Sequence, residues 1–330
     1  MSVQAEIVDV SVIVVTYNRD EPLRRTLEGL LNQQPAPKEV IVVDQTCQHN
    51  GATREFLDGL IEQRRIEYIW QSEPNAQRAR NTAIREARGQ VLLFIDDDVE
   101  MDQHLVGAHW KNYEDTELAA VCGFYLEPGE SPVNQLPAEM EKDLTGWLYF
   151  PHCYAKRIES HLFPSCNGSI RREVAIQIGG FDENYTHTLL DDTDFACRLK
   201  ALGVKSVHDP EARLIHLKEL SGGKRPSEVN EYVIADSKRW YIWCYFFWTN
   251  FGWRSWRELG WRLRRTVFRR KNISNPRRFL TALLHSVKGG WRAVMAIYGG
   301  RKLGLVSMST APETGTKGGV TSKNPTGSVA

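Results

Sequence analysis

The sequence has almost no excess of charge: 42 Lys and Arg face 41 Asp and Glu, a formal net charge of +1. A chain so balanced has no overall field to attract nucleic acid, and no nucleic-acid partner is expected. Long apolar runs are missing as well. The richest stretch, WYIWCYFFWTNFGW at residues 240–253, falls short of the ~20 apolar residues that a membrane-spanning helix needs. The first ten residues, MSVQAEIVDV, carry neither a basic n-region nor an apolar core and so do not read as a secretory signal. Cysteine is sparse and scattered. Cys47, Cys122, Cys153, Cys166, Cys197 and Cys244 include no CxxC pair, which argues against zinc and disulfide frameworks and fits buried thiols in a reducing cytoplasm. What is left is a 330-residue chain, 42% apolar, long enough for one large domain or two small ones.

The first half alternates between two periods. VSVIVV (10–15) is a β-branched run suited to a fully buried strand, and EPLRRTLEGLLNQ (21–33) follows with Leu23, Leu27, Leu30 and Leu31 at helical spacing and Pro22 in its first turn. EVIVVD (39–44) predicts a second strand, 51–63 a helix, IEYIW (66–70) a strand, 76–87 a helix and VLLFID (91–96) a further strand. Such alternation predicts a three-layer α/β sandwich with a mainly parallel sheet. Sheets of this kind bind ligands beyond the carboxyl ends of their strands. Three of those ends carry polar and acidic residues: Thr16-Tyr17-Asn18-Arg19, Asp44-Gln45-Thr46 and Asp96-Asp97-Asp98.

From about residue 230 the character changes. Residues 238–302 hold sixteen Lys and Arg against one acid, Glu258, and seven of the ten tryptophans. Trp256, Leu259, Leu263 and Val267 fall on one helical face, and Phe279, Leu283, Val287 and Val294 repeat the theme. A basic amphipathic helix rich in tryptophan reads as an element of a membrane interface. The same pattern also serves a helical cap packed on the preceding domain. The small, polar final stretch, residues 306–330, is predicted to be disordered.

Three adjacent carboxylates after a buried strand repel one another, at ~4 Å and an effective dielectric of ~20 by about 4 kcal/mol per pair. They can point apart in a surface turn, or a cation can neutralise them; Mg²⁺ and Mn²⁺ take oxygen ligands and commonly share them with phosphates. A second acidic cluster lies in LLDDTDFACRLKALG (189–203), where Asp191, Asp192 and Asp194 precede or open a helix that Gly203 can stop. One aspartate suffices to cap a helix; three suggest a further role, such as a general base. Arg78 and Arg80 in RARN, near a helix start, suit an anionic diphosphate. His216, in a strand-like run, is either a packed core residue or a metal ligand.

Taken in order, VSVIVVTYNR, EVIVVDQT, EPNAQRARNTAI, GQVLLFIDDDVE, CNGSIRREVAIQIGGFDE and LLDDTDFACRLKALG resemble the family 2 glycosyltransferases of GT-A fold, over roughly residues 9–220. The resemblance implies inverting transfer of a sugar from a nucleotide-diphosphate donor, with UDP first and dTDP or GDP as alternatives. It implies that Thr16, Tyr17 and Arg19 form the loop under the nucleobase, that Asp44 hydrogen-bonds the base and that Arg80 lies near the diphosphate. Asp98 would hold Mn²⁺ or Mg²⁺, Asp97 would reach the ribose, and Asp96 would end the strand and support the other two as part of the donor site. His216 would complete the metal site, and Asn167 and Gly168 would line the sugar and acceptor pocket. Asp191-Asp192 stands where the family usually has Glu-Asp, so Asp192 is the expected base and Asp191 its alternate. DQT after Asp44 departs from the commoner Asp-Asp-Gly/Asn-Ser.

The expected organisation is therefore a catalytic domain over 1–225, a basic helical segment over 226–305 and a tail over 306–330. The expected setting is the cytoplasmic face of a membrane, on an anionic surface beside a glycan or lipid-linked acceptor of cell-surface polysaccharide synthesis. A haloacid-dehalogenase-type phosphatase is disfavoured because Glu100 stands where that motif needs Thr or Val. A nicotinamide dehydrogenase is disfavoured because TYNRDEP after the first strand contains no GxGxxG. The alternative of another class is a non-catalytic protein of this fold that binds a nucleotide sugar or glycan.

Overall fold

The computed structural model describes residues 6–138, 150–186, 189–219, 222–223 and 236–305. The expected tail and the expected boundary at 225 lie outside these residues. The first half builds β1 (Ile7–Thr16), α1 (Glu21–Leu31), β2 (Ala36–Asp44), α2 (Gly51–Glu62), β3 (Glu67–Trp70), α3 (Ala76–Glu86) and β4 (Val91–Asp96). Side chains alternate along β1. Val10, Val12 and Val14 pack on Leu23, Leu27 and Leu30 of α1, while Ile13 joins Ala79 and Ala83 of α3 on the other face. A strand covered on both faces is apolar almost throughout, which is why it reads as a nearly continuous run, its buried Ser11 donating to Glu39 Oε1. Asn50 and Asn75 cap α2 and α3, accepting from Thr53 N (2.8 Å) and Arg78 N (3.0 Å).

The chain continues through β5 (Val99–Met101), α4 (Leu105–Lys111), β6 (Leu118–Leu126), β7 (Ile158–Glu159), β8 (Asn167–Arg171), α5 (Arg172–Gln177), α6 (Asp191–Leu202) and β9 (Lys205–His216). The sheet order is β3-β2-β1-β4-β8-β6-β9-β5, with β7 paired to β9. β3, β2, β1 and β4 are parallel, as is β6 with β9; β8 runs against both of its neighbours, and β5 and β7 run against β9. Two registers set the site. Ile95 faces Asn167, so the chain entering β8 passes the acidic end of β4. Val99 faces His216, which carries that imidazole to Asp98.

Four helices follow: α7 (Ser237–Phe251), α8 (Trp256–Thr266), α9 (Arg270–Ile273) and α10 (Pro276–Tyr298). α10 lies on α7 through small residues, Ala282, Ser286, Gly289 and Ala293. A Cβ at Gly289 would come within 2.5 Å of Ser237 O and Trp240 Cβ, so the close approach requires glycine. This corrects the face predicted from sequence. Phe279 and Leu283 are partly buried, but Val287 and Val294 are exposed. In α8, Leu259 and Leu263 turn inward and Val267 is buried beyond its end, whereas Trp256 is exposed. Among the described residues, no helix is long and apolar enough to cross a membrane.

Candidate active site

At the carboxyl ends of β1 and β4 opens a cavity of about 610 Å³. Thr16, Tyr17, Arg19, Arg80, Asp96, Asp97, Asp98, Asp191, Asp192 and His216 all line it. Residues separated by as much as 200 positions meet there because parallel strands deliver their carboxyl ends to one edge.

One end is a carboxylate–imidazole cluster. His216 Nε2 lies 3.3 Å from Asp98 Oδ1 and 3.5 Å from Asp96 Oδ2. One ligand atom from each of Asp96, Asp98 and His216 falls within 4.8 Å of the others. Asp96, expected in the donor site as a support for its neighbours, thus sits with the two expected ligands. Asp98 is buried; it also accepts from Glu219 N (2.9 Å) and pairs with Arg19 Nη1 (2.5 Å). Burial opposes its ionisation, but the His216 hydrogen bond and the charges of His216 and Arg19 outweigh this and hold it at about 2. Asp97 points elsewhere: Thr16 Oγ1 donates to its Oδ2 (2.6 Å), and Arg19 Nη1 lies 3.2 Å from its Oδ1.

The other end belongs to α6. Leu190, just before it, has φ 62°, a left-handed conformation that a bulky side chain rarely adopts. The aspartates that follow separate. Asp191 Oδ2 accepts from Gln77 Nε2 (2.6 Å) and Arg80 Nη1 (3.0 Å). Arg80 is buried and stacks over Phe181; its Nη2 lies 3.9 Å from Asp96 Oδ1, so it ties the two acidic clusters together. Asp192 Oδ2 accepts from Ser165 N (2.9 Å) and Ser165 Oγ (3.0 Å). Its Oδ1 is buried in the cavity wall with no hydrogen-bond partner among the described residues. Burial, then the charge of Asp191, push Asp192 up to about 7 against the pull of Arg80 and Ser165. A buried carboxylate oxygen without a donor is costly, by about 1–3 kcal/mol, and a hydroxyl placed beside it removes that cost. Asp194 faces away from the cavity, toward Arg198, Asn250 and Arg301.

Three expected residues do not line the cavity. Asp44 is fully buried. Its Oδ1 accepts from Thr46 N (2.7 Å), and its Oδ2 meets His49 Nε2 (2.6 Å) and Tyr68 OH (2.9 Å). His49 Nδ1 lies 2.8 Å from Asp20 Oδ1. Two acceptors on one ring favour the imidazolium, and the Asp44 bond, then that to Asp20, raises the His49 pKa against burial. Asp44 is therefore already engaged by three partners within the protein. Asn167 is inside the sheet, donating to Phe124 O and Ala212 O and accepting from His109 Nε2. Gly168 packs against Pro164 O, which a Cβ would approach to 2.5 Å. Pro164, Ser165 and Cys166, just before them, line the cavity instead. The sequence reading also missed Gln77, Ser165 and a stacked pair in the wall, Tyr125 and His152, with ring centroids 4.0 Å apart. No local pattern marks them; each matters through a partner distant in sequence.

Residues 11–179 match the family described as Glycosyl transferase family 2. The chain is 29% identical over 227 residues to the O-antigen biosynthesis protein RfbC of Myxococcus xanthus, covering 63% of this chain and 17% of that one. It is 28% identical over 218 residues to a validoxylamine A glucosyltransferase of Streptomyces hygroscopicus subsp. limoneus, covering 59% and 48%. The chain spans less than half the length of these curated relatives. Among solved structures, GalNAc-T7 with UDP, GalNAc and Mn²⁺ superposes with a TM-score of 0.52 at 16% identity, over 74% of this chain and 51% of that one. That likeness is one of fold, and the fold is GT-A.

Proposed function

The chain belongs to glycosyl transferase family 2, and from that premise we propose that it transfers a sugar from a nucleotide-diphosphate donor to an acceptor hydroxyl, with inversion at the anomeric carbon. The observation that carries this reading is Asp192 Oδ1, a buried carboxylate oxygen without a partner, in the same cavity as a cluster of cation ligands. The acceptor oxygen attacks the anomeric carbon as the bond to the diphosphate breaks, and its proton passes to Asp192 Oδ1. Ser165 holds the other carboxylate oxygen with two donors and so fixes the angle of the base. Arg80, braced by Asp191, presents a fixed positive charge to the departing diphosphate.

Asp96, Asp98 and His216 would hold a divalent ion: two hard carboxylates and an imidazole suit Mn²⁺ or Mg²⁺. When bound, such an ion stabilises the charge that builds on the leaving diphosphate. UDP is the first candidate for the nucleotide, supported by the UDP and Mn²⁺ of GalNAc-T7; dTDP and GDP are its alternatives. The name of the Myxococcus relative supports an acceptor in cell-surface polysaccharide synthesis, a glycan or a lipid-linked precursor. The test is nucleotide release from UDP-, dTDP- and GDP-sugars with and without Mn²⁺, for the wild type and Asp192→Asn. The expected result is metal-dependent release that falls about 10²–10⁴-fold in the variant while donor binding persists. Tight binding with no release under any acceptor would instead identify a non-catalytic binder.

A further inference from the structure

α10 is turned the opposite way from an ordinary surface helix. Helices on globular domains place their large apolar residues toward the core. Here the inward stripe is Ala282, Ser286, Gly289 and Ala293, with Phe279, Leu283 and Ile297 partly buried along one edge of it, and six large residues, Leu280, Leu284, Val287, Trp291, Met295 and Tyr298, are exposed. At 100° per residue, those six positions fall on one face, opposite the small-residue stripe. Trp291 is 66% exposed and Tyr298 86%. Arg277, Lys288 and Arg292 flank that face. α8 and the turn before it add Trp253, Trp256 and Trp261, all more than half exposed. Arg257 stacks over Trp256 (5.5 Å) and Arg265 over Trp261 (4.6 Å), which sets positive charge beside the exposed indoles.

We infer that this face docks on an anionic lipid bilayer, with the apolar stripe of α10 at the level of the acyl boundary and the arginines among the headgroups. Charge selects this occupant over a second copy of the chain. With sixteen basic residues against one acid across 238–302, two copies meeting here would set arginine against arginine, whereas anionic headgroups neutralise them at ~1 kcal/mol per well-placed side chain. Tryptophan beside arginine is the composition of helices that lie in the interface plane, and no described helix is built to span the bilayer. This face differs from the one the sequence pattern suggested, which combined residues that the fold divides between its core and its surface.

The test is flotation of the full chain with vesicles of phosphatidylcholine alone and of phosphatidylcholine with phosphatidylglycerol. The expected result is co-flotation with the anionic vesicles only, weakened by salt. A Leu284→Glu/Trp291→Glu double variant should lose vesicle binding at least about tenfold, and Lys288→Glu/Arg292→Glu should lose it with the apolar stripe intact. All of these residues are outside the cavity, so nucleotide release in free solution should stay at the wild-type level and reports that the variants are folded. A wild type that stays unbound, or floats equally with both vesicles, overturns the inference. So does concentration-dependent self-association abolished by the same variants without any vesicle binding, which would assign the face to a second copy.

Discussion

Asp191 and Asp192 are adjacent in the chain and opposite in surroundings. Asp191 is spent on Gln77 and Arg80, whereas Asp192 keeps one oxygen without a donor. That difference predicts a pH profile. A base must be ionised to accept a proton, and Asp192 is pushed up to about 7 by burial and by Asp191. Turnover should therefore rise about tenfold per unit as pH increases toward that value and level off above it. Asp191→Asn removes the like charge beside the base, so the acid limb should move to lower pH while turnover survives. In Asp192→Asn the activity itself should be lost. A limb that does not move in Asp191→Asn would mean that Asp192 is not the group being titrated. The sequence placed both aspartates at the start of a helix and proposed Asp192, but could not separate them, because the deciding partners lie 114, 111 and 27 residues away. Asn167 shows the same limit from the other side. Its type and motif suggested a ligand contact, yet its amide is consumed within the sheet.

At the scale of elements, strong periodicity was legible and contact was not. The strands and helices of the first half appear where apolar runs and helical spacing put them, with ends shifted by a few residues. β5, β7 and β8, of three, two and five residues, are too short to show a period; β6, a nine-residue apolar run, is long enough to read and was passed over. α10 is a helix where its spacing puts it, but the apolar face read from Phe279, Leu283, Val287 and Val294 is divided, because the helix closes on α7 chiefly through small residues, with Phe279 and Leu283 partly buried beside them. Two neighbouring glycines test that packing. A Cβ at Gly289 meets Ser237 O and Trp240 Cβ at 2.5 Å, atoms that cannot swing aside. Gly289→Ala should therefore cost about 1–3 kcal/mol. Gly290 has nothing within 4 Å of its added Cβ, so Gly290→Ala should stabilise the helix by about 0.5–1 kcal/mol. Opposite shifts in thermal midpoint are the expected outcome. Equal shifts would show that helix propensity, not the α7–α10 contact, governs both sites.

On the scale of the whole molecule, the C-terminal helices hold the helix that bears the proposed base. Asp194, in the first turn of α6, is fully buried and receives Arg301 Nη1 (2.6 Å), Asn250 Nδ2 (2.9 Å) and Arg198 Nε (3.0 Å). Arg301 and Asn250 both come from the segment that the sequence set apart as 226–305. Asp182 repeats the link, accepting from Tyr245 OH (2.7 Å) and Lys302 N (3.1 Å). The sequence carried the change in composition near residue 230 but not these pairings, which join an ordinary aspartate to an ordinary arginine 107 positions later. A double-mutant cycle measures the link. Breaking a buried, hydrogen-bonded ion pair leaves a desolvated charge, so Arg301→Ala should destabilise the protein by about 2 kcal/mol, Arg198 softening the loss. Its coupling to Asp194→Asn should exceed about 1 kcal/mol. The exposed pair Arg54–Asp58, with side chains 60% and 43% exposed, should couple by no more than about 0.5 kcal/mol. If the clamp also sets the position of Asp192, Arg301→Ala should lower kcat for a small soluble acceptor at temperatures where the variant is still folded, and leave donor binding unchanged. Loss of stability without that fall in kcat would make the C-terminal helices a support for the fold alone, with no part in aiming the base.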